Sequence, residues 1–382
     1  MKGLELSKAY FSEAIRPILA ERVTEIGQSY AAALLGWGSD VLENDDELSR
    51  DHEWGPRCLL FLPDPLIRHK AKILSELNRH LPVEFRGHPT RFVTDPENHT
   101  VRIPAGDSVG QVHVEVTTCS DYLTQSIGTV VPESEIEWLT IPESSLLGLT
   151  RGEVFWDGFG DLTRYRKYYQ YFPLNVWKYR LAYAWQALGW DIDLIGLCAV
   201  RGDVLSARHS VSVSAYRIMA LVFLLNRRYC PLYVKWLHRE FYKLDHLSSE
   251  IGPILEDSYR TDDLALIPER LTAACDLLVE HQERMGLLPN SADIPHRSYR
   301  GFVYADCQAI ADQIKDSIEG ELRALTVDGA LDQWVGNYDL LVRGVGKLKS
   351  LSPVYDNPHN CSSAGRPPKL EPGSQGVTQT CD

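Results

Sequence analysis

The sequence predicts an α+β protein, in which a mixed sheet with covering helices is followed by a mainly helical region. Short apolar runs, one of them with a clear period of two, cluster before about residue 130. Longer apolar and aromatic-rich stretches with helical spacing fill most of residues 135–350. The hydrophobic fraction of 44% is that of a globular protein, so a wholly disordered chain is excluded.

The predicted elements of the first region follow from these patterns in chain order. Apolar residues at helical spacing predict an opening helix over 4–24, with Pro17 as a point of kinking. A second helix is predicted over 66–80. Strands are predicted over 30–35, 58–62, 83–85, 91–94 and 112–116. In the last of these, Val112, Val114 and Val116 share one face, which indicates a half-buried strand.

The chain is predicted to divide into two domains and a tail. Residues 1–135 form the sheet-containing core, and residues 136–350 form the helical domain, with long helices over 174–189, 191–228 and 262–286. Residues 351–382 contain five prolines and three glycines with only scattered apolar side chains, so we expect a disordered tail. A motif for a partner in this tail is the alternative.

Composition limits the classes of function. The 382 residues include 39 Lys+Arg and 52 Asp+Glu, a net charge of −13, which argues against a general nucleic-acid binder because such binding depends on neutralising phosphates. There is no run of about 18 apolar residues, and the charged start is unlike a secretory signal. None of the eight cysteines forms a Cys-x-x-Cys pair. We therefore expect a reduced protein in the cytoplasm without structural zinc or a membrane anchor.

The segment that suggests chemistry begins where the first predicted strand ends. Gly38 and Ser39 follow that strand, and at a helix start their backbone N–H groups and hydroxyl would suit a phosphate. Twelve residues after Ser39 comes Asp51-His52-Glu53. In an extended segment the two carboxylates would point to the same side, and they would then attract a divalent cation such as Mg²⁺. A phosphate cradle beside such an acid pair suits nucleotidyl or phosphoryl transfer.

This pattern resembles the nucleotidyltransferase superfamily that includes DNA polymerase beta and the aminoglycoside nucleotidyltransferases. More closely, the chain resembles an uncharacterised bacterial and fungal family of unknown function in that superfamily, from the first helix to about residue 340. The resemblance depends on Gly-Ser-Asp-Val-Leu at 38–42, Asp-His-Glu-Trp-Gly-Pro-Arg at 51–57, Arg-Gly-Asp at 201–203, Leu-Leu-Asn-Arg-Arg-Tyr at 224–229, and Lys-Trp at 235–236. It implies a nucleotidyltransferase-type core with the active site between the two domains.

The resemblance also implies roles for particular residues. Asp51, Glu53 and Glu115 would be the catalytic and metal-binding acids, with Mg²⁺ or Mn²⁺ as the metal. Gly38, Ser39, Arg57, Arg228 and Lys235 would bind the nucleotide. The expected reaction moves a nucleoside monophosphate, AMP from ATP in the first instance, onto the hydroxyl of a small-molecule acceptor.

Other interpretations remain open at this stage. Asp51 and Glu53 could belong to a solvated acidic loop, and Glu84 competes with Glu115 as the third acid. Arg57 could be a surface charge. The cations at 227–228 could simply stabilise the C-terminus of a helix.

Two alternative functions also remain. One is a catalytically inactive nucleotide-binding or scaffold protein, which is kept open because Glu53 stands where superfamily members often have aspartate. The other is an enzyme of the same fold with different chemistry in a small-molecule pathway. Walker, zinc-protease, serine-hydrolase and kinase motifs are absent from the sequence.

Overall fold

The structure, a computed structural model, describes seven stretches of the chain. These are residues 1–50, 53–97, 102–106, 109–231, 233–289, 295–336 and 338–355. Within them, a small mixed sheet with helices on both faces is followed by a helical region, so the predicted α+β class is confirmed. None of the helices in these stretches is long and apolar enough to cross a bilayer.

The regular elements have the following bounds. The helices are α1 Gly3–Tyr10, α2 Arg16–Arg22, α3 Lys70–His80, α4 Cys119–Ile127, α5 Glu135–Trp138, α6 Glu143–Thr150, α7 Asp161–Tyr168, α8 Leu174–Arg201, α9 Val204–Leu225, α10 Val234–Phe241, α11 Ser248–Arg260, α12 Ile267–Arg284, α13 Cys307–Asp316, α14 Leu331–Trp334, α15 Tyr338–Arg343 and α16 Val345–Leu348. Short 3₁₀ helices cover Thr24–Ile26, Glu47–Ser49, Asp64–His69, Leu264–Leu266, Glu321–Ala324 and Lys349–Tyr355. The strands are β1 Ala31–Leu34, β2 Cys58–Phe61, β3 Glu84–Phe85, β4 His88–Pro89, β5 Arg91–Thr94, β6 Arg102–Pro104, β7 Gln111–Val112, β8 Val114–Thr117, β9 Glu153–Asp157, β10 His296–Tyr299 and β11 Phe302–Ala305.

The main sheet has the strand order β8-β2-β1-β9. Strand β1 is antiparallel to β2 and to β9, whereas β2 and β8 are parallel. The carboxyl end of β1 and the amino ends of β2 and β8 therefore meet at one edge of the sheet. A smaller sheet of order β6-β5-β7 is fully antiparallel.

Strand β1 is buried on both faces. Ala31 and Ala33 belong to a large hydrophobic core shared with the helical region. Ala32 belongs to a second core formed with α1, α2 and α3. Alternate residues of a strand point to opposite faces, so the sheet is the layer between the two cores. The alanine side chains are short, which lets both helical layers approach the strand closely.

The opening helix is interrupted before Pro17. Instead of one helix over 4–24, a π-helical turn at Phe11–Ile15 separates α1 from α2. Pro17 has no N–H to donate to the carbonyl four residues earlier, so an α-helical bond is missing at this point. The kink expected at Pro17 is therefore replaced by the π-helical turn, which is wider than an α-helical turn.

The predicted strand over 112–116 is two strands. Val112 pairs with Arg91 in the smaller sheet, whereas Val114 pairs with Cys58 in the main sheet. His113 lies at the break, so a single alternating run in the sequence serves two sheets.

The predicted boundary at residue 135 cuts across the main sheet, because strand β9 comes from the segment assigned to the helical domain whereas β1, β2 and β8 precede the boundary. The division into domains stays a prediction.

The helix predicted over 174–189 continues to Arg201, where Gly202 ends it with a left-handed backbone (φ 75°). Residues 191–228 therefore contain the end of α8 and all of α9. The strands β10 and β11 also lie where helical structure was expected.

The predicted tail starts too early. Residues 351–355 belong to the 3₁₀ helix Lys349–Tyr355, and the buried Tyr355 hydroxyl donates to the Gly329 carbonyl at 2.8 Å. Residues 356–382 lie outside the described residues.

The six cysteines in the described part of the chain are free thiols, as expected.

The two-sided burial of β1 makes a testable prediction about stability. Ala32→Leu forces extra volume between the sheet and the helices of the second core, so we expect the free energy of unfolding to fall by about 1–3 kcal/mol. Urea denaturation measures this change. The matched control is Leu205→Ala, because Leu205 is 87% exposed and should change stability by less than about 0.5 kcal/mol. Equal effects of the two substitutions would contradict this account of β1.

Candidate active site

A cavity of about 640 Å³ opens at the edge of the sheet where β1 ends and where β2 and β8 begin. Its walls also include much of α6, together with Pro231, Tyr233, Lys235 and Trp236. Of the predicted site residues in the described part of the chain, Gly38, Ser39, Glu53, Arg57, Glu115 and Lys235 line this cavity. Arg228 is exposed and does not line it. The cavity is therefore the candidate site.

The Gly38-Ser39 loop differs from the expected helix start. Residues 39–43 form hydrogen-bonded turns, and the Ser39 hydroxyl donates to the Ser49 carbonyl at 3.2 Å. Gly38 has φ 145°, and a Cβ there would lie 2.3 Å from Asp40 Oδ1 and 2.4 Å from Arg57 Nη2. Only glycine fits this position, because any side chain would collide with a buried ion pair.

Arg57 is part of that ion pair. Its Nη2 lies 2.6 Å from Asp40 Oδ1, and its Nε lies 3.0 Å from Asp40 Oδ2. Nη2 also donates to the Trp37 carbonyl at 3.0 Å. The two side chains are 10% and 2% exposed. This bidentate contact fixes the loop to the start of β2, so Arg57 is not a free surface charge. Its role in nucleotide binding stays a prediction.

Glu53 lies in a left-handed backbone conformation, with φ 54°. It precedes β2 by five residues and is not extended, so the expectation that two acids share one face of a strand is wrong at Glu53. Its Oε1 accepts from the Arg102 N–H at 2.8 Å, and its own N–H donates to the Arg102 carbonyl at 2.9 Å. Its Oε2 lies 3.2 Å from His113 Nε2. Asp51 and His52 lie outside the described residues.

The charges of this pair follow from its surroundings. Burial opposes ionisation of Glu53, but the hydrogen bond from His113 and the charge of Arg57 outweigh it and lower the pKa of Glu53. Burial is also the largest influence on His113, and together with the Arg57 charge it lowers the pKa of that ring. At neutral pH the carboxylate is therefore ionised and the imidazole is neutral.

Glu115 is the acid that reaches the cavity from the main sheet. It is exposed on β8 and is paired in register with Leu59 of β2. Its rival Glu84 belongs to the hairpin formed by β3 and β4 and does not line the cavity. The geometry thus favours Glu115 over Glu84 as the third acid.

Cations reach the cavity from two directions. Lys235 is exposed at the start of α10, with its Nζ 4.8 Å from the Tyr233 ring centroid and 4.7 Å from the Trp236 ring centroid. Arg102 is exposed on β6 and also lines the cavity. Rings at these distances stabilise a cation, so the position of the Lys235 ammonium is restrained.

Sequence reasoning missed Arg102 and His113. The signal for His113 was present, because it alternates with Glu115 on the polar side of the valine run. Arg102 had no signal, because its neighbour Glu53 is 49 positions away in the chain.

A divalent cation is compatible with the side chains that line the cavity. Glu53 and Glu115 supply carboxylate oxygens, the ligand type that Mg²⁺ prefers. Each Glu53 oxygen has one contact to a donor and keeps a second lone pair. Among the described residues, no group of three or more His, Cys, Asp or Glu could hold a metal ion. The role of Asp51, which lies outside the described residues, stays a prediction.

A second ionic cluster supports the wall of the cavity. Glu143, at the start of α6, accepts from Arg180 Nη2 and from the Cys230 N–H, both at 2.9 Å. Arg180 also contacts Asp332 at 2.8 Å. The next residues on each side, Ser144 and Pro231, line the cavity. Burial, aided by the charge of Asp332, raises the pKa of Glu143 to about 7 despite Arg180.

Part of the chain matches a known family model. Residues 138–237 match a family described as a domain of unknown function, DUF4037. The match runs from the end of α5 into α10 and includes Lys235, but it does not include Gly38, Glu53 or Glu115. It agrees with the predicted resemblance to a family of unknown function over this part of the chain. No curated protein matches the sequence significantly.

Among solved structures, the chain is similar to a nucleotidyltransferase-like protein from Exiguobacterium sibiricum 255-15. The sequence identity is 12%, and the match covers 76% of this chain and 82% of that one. The TM-score is 0.31, which is too low to establish a shared fold or a shared activity.

The Arg57–Asp40 contact predicts a large effect on stability. Arg57→Met leaves the Asp40 carboxylate buried without its partner, and we expect a loss of about 3–5 kcal/mol in the free energy of unfolding. Chemical denaturation measures the loss. Asp40→Leu combined with Arg57→Met should recover much of it, because no buried charge then remains. Lys72→Met, which removes an exposed ion pair with Glu25, is the control and should cost less than about 1 kcal/mol.

The raised pKa of Glu143 predicts that the stability of the protein depends on pH. In the unfolded chain this carboxyl loses its proton near its ordinary pKa of 4.5, whereas the folded protein holds the proton until about pH 7. Between these values the folded state binds more protons, so the free energy of unfolding falls as pH rises and then levels off above pH 7. Glu143→Gln should reduce the fall between pH 5 and 7 by on the order of 2–3 kcal/mol.

Denaturation curves across this pH range test the prediction. The control is Glu5→Gln, a substitution at an exposed position of α1, which should keep the wild-type slope. An unchanged slope in Glu143→Gln would assign the pH dependence to other groups.

Proposed function

We propose that this protein is a Mg²⁺-dependent nucleotidyltransferase that transfers a nucleoside monophosphate from a nucleoside triphosphate, with ATP as the first candidate, to a hydroxyl of a small-molecule acceptor. The observation that supports the proposal is a single cavity lined by a glycine-serine loop, two glutamates and a restrained lysine, which come from separate parts of the chain. Its volume of about 640 Å³ is within the usual range for small-molecule sites.

The proposed reaction is an in-line displacement at the α-phosphorus of the nucleotide. The acceptor oxygen forms a bond to that phosphorus, and the bond from the phosphorus to the bridging oxygen of pyrophosphate breaks. Pyrophosphate leaves with the electron pair, and the hydroxyl proton passes to a base. When bound, Mg²⁺ would neutralise charge on the attacking and leaving oxygens.

The side chains of the cavity would divide this work. Glu53, Glu115 and Asp51 would hold the divalent cation, and Glu115 is also the candidate to take the acceptor proton because it is exposed in the cavity. The Gly38-Ser39 loop would bind the terminal phosphates. Lys235 and Arg102 would offset the negative charge of the triphosphate.

A second candidate function is nucleotide binding without transfer, as in a scaffold protein. It is favoured by the contacts of Glu53, whose two oxygens already accept hydrogen bonds from His113 and from the Arg102 backbone. A carboxylate engaged in this way could keep a structural role after catalysis is lost. The two candidates differ in turnover and not in binding.

A thermal-shift titration with each nucleoside triphosphate, with and without Mg²⁺, tests binding. At 100 times the dissociation constant, a ligand stabilises the folded state by about 2.7 kcal/mol, which should raise Tm by a few degrees. We expect a Mg²⁺-dependent shift that is lost in Asp51→Ala and in Glu115→Ala. Glu84→Ala is the matched control, because Glu84 lies outside the cavity, and it should keep the shift.

Turnover is measured with a triphosphate labelled at the α-phosphate and a panel of hydroxyl-bearing acceptors. A nucleotidyltransferase transfers the label and releases pyrophosphate, and Asp51→Ala should lower the rate by about 100-fold or more. Binding without transfer to any acceptor would favour the scaffold. No shift with any triphosphate would contradict the nucleotide site itself.

A further inference from the structure

His113 lies between two strands that belong to different sheets. The residue before it pairs with β5 in the smaller sheet, and the residue after it pairs with β2 in the main sheet. Its side chain is only 12% exposed, and its ring centroid lies 4.7 Å from that of Phe92 on β5. Both sheets and the phenyl ring therefore restrict its position.

The contact between His113 and Glu53 determines which ring nitrogen of His113 carries the proton. A carboxylate only accepts hydrogen bonds, so Nε2, at 3.2 Å from Glu53 Oε2, must be the protonated nitrogen. The other ring nitrogen, Nδ1, is buried and has no hydrogen-bond partner among the described residues. An unpartnered buried nitrogen destabilises the folded state, so packing alone does not account for a histidine at this place.

Glu53 is not part of a helix or strand, so its side chain depends on other contacts for its orientation. Its backbone is left-handed, and the strand that follows begins only at Cys58. A glutamate side chain that is free to rotate loses conformational entropy when a ligand fixes it, and this loss weakens ligand binding. The Arg102 backbone fixes one carboxylate oxygen and His113 the other, so this entropy is already lost before a ligand binds.

We propose that His113 is a positioning residue, which orients the Glu53 carboxylate for a divalent cation bound with a nucleoside triphosphate. This inference rests on the proposed function. Each carboxylate oxygen keeps one lone pair for the cavity, while the other lone pair is held by the protein. Side chains that orient metal ligands in this way typically change metal affinity by 10–100-fold when they are removed.

The experiment measures the apparent Mg²⁺ affinity by titrating the folded protein with Mg²⁺ at fixed ATP, with the shift in Tm and calorimetry as readouts. His113→Leu removes the donor, and we expect affinity to fall by about 10–100-fold. His113→Gln can still donate an N–H to Glu53 and should stay within about threefold of the wild type. His80→Leu is the control, because it removes a similar histidine–glutamate contact, with Glu76, that lies outside the cavity, and it should leave Mg²⁺ affinity unchanged.

A double-mutant cycle with Glu53→Gln shows whether His113 acts through Glu53. If it does, His113→Leu should cost little further affinity once Glu53 has been changed. Full affinity in His113→Leu, or additive effects in the cycle, would overturn the positioning role. If His113→Leu does not fold, His113→Gln decides, because a large loss of affinity in that variant would overturn the role as well. Absence of Mg²⁺–ATP binding by the wild type would instead overturn the proposed function.

Discussion

The position of the candidate site depends on the burial of β1 on both faces. Its alanines separate two hydrophobic cores, one with α1 to α3 and one with the long helices. A strand packed from both sides has little room to move, and its backbone pairing with β2 and β9 fixes its register. Its carboxyl end therefore delivers the Gly36–Ser39 segment to the edge where β2 and β8 begin.

At that edge, buried charges organise the loops. Arg57 joins the glycine loop to the start of β2 through Asp40, and Glu143 joins α6 to Arg180 and the Cys230 backbone. Each contact links segments that lie far apart in the chain, and each is nearly closed to water. Electrostatic contacts are strong in such an environment, so these contacts hold together the segments that line the cavity.

The smaller sheet contributes more than its size suggests. Strand β6 supplies the backbone that pairs with Glu53, and the break after β7 places His113 against the same carboxylate. In an acidic protein with a net charge of −13, Arg102 and Lys235 bring positive charge to the cavity. The cavity thus combines carboxylates with cations, which is the combination that a metal-bound polyphosphate requires.

The sequence by itself determined the α+β class, the strand Arg91–Thr94 and the valine alternation around Glu115. These features depend on periodicity and on local backbone demands, which neighbouring residues encode. Only the tertiary structure decided that Arg57 pairs with Asp40, that His113 separates two sheets and that Glu53 is left-handed. These features depend on contacts between residues that are distant in the chain, and no local pattern encodes which distant partner a charged side chain meets.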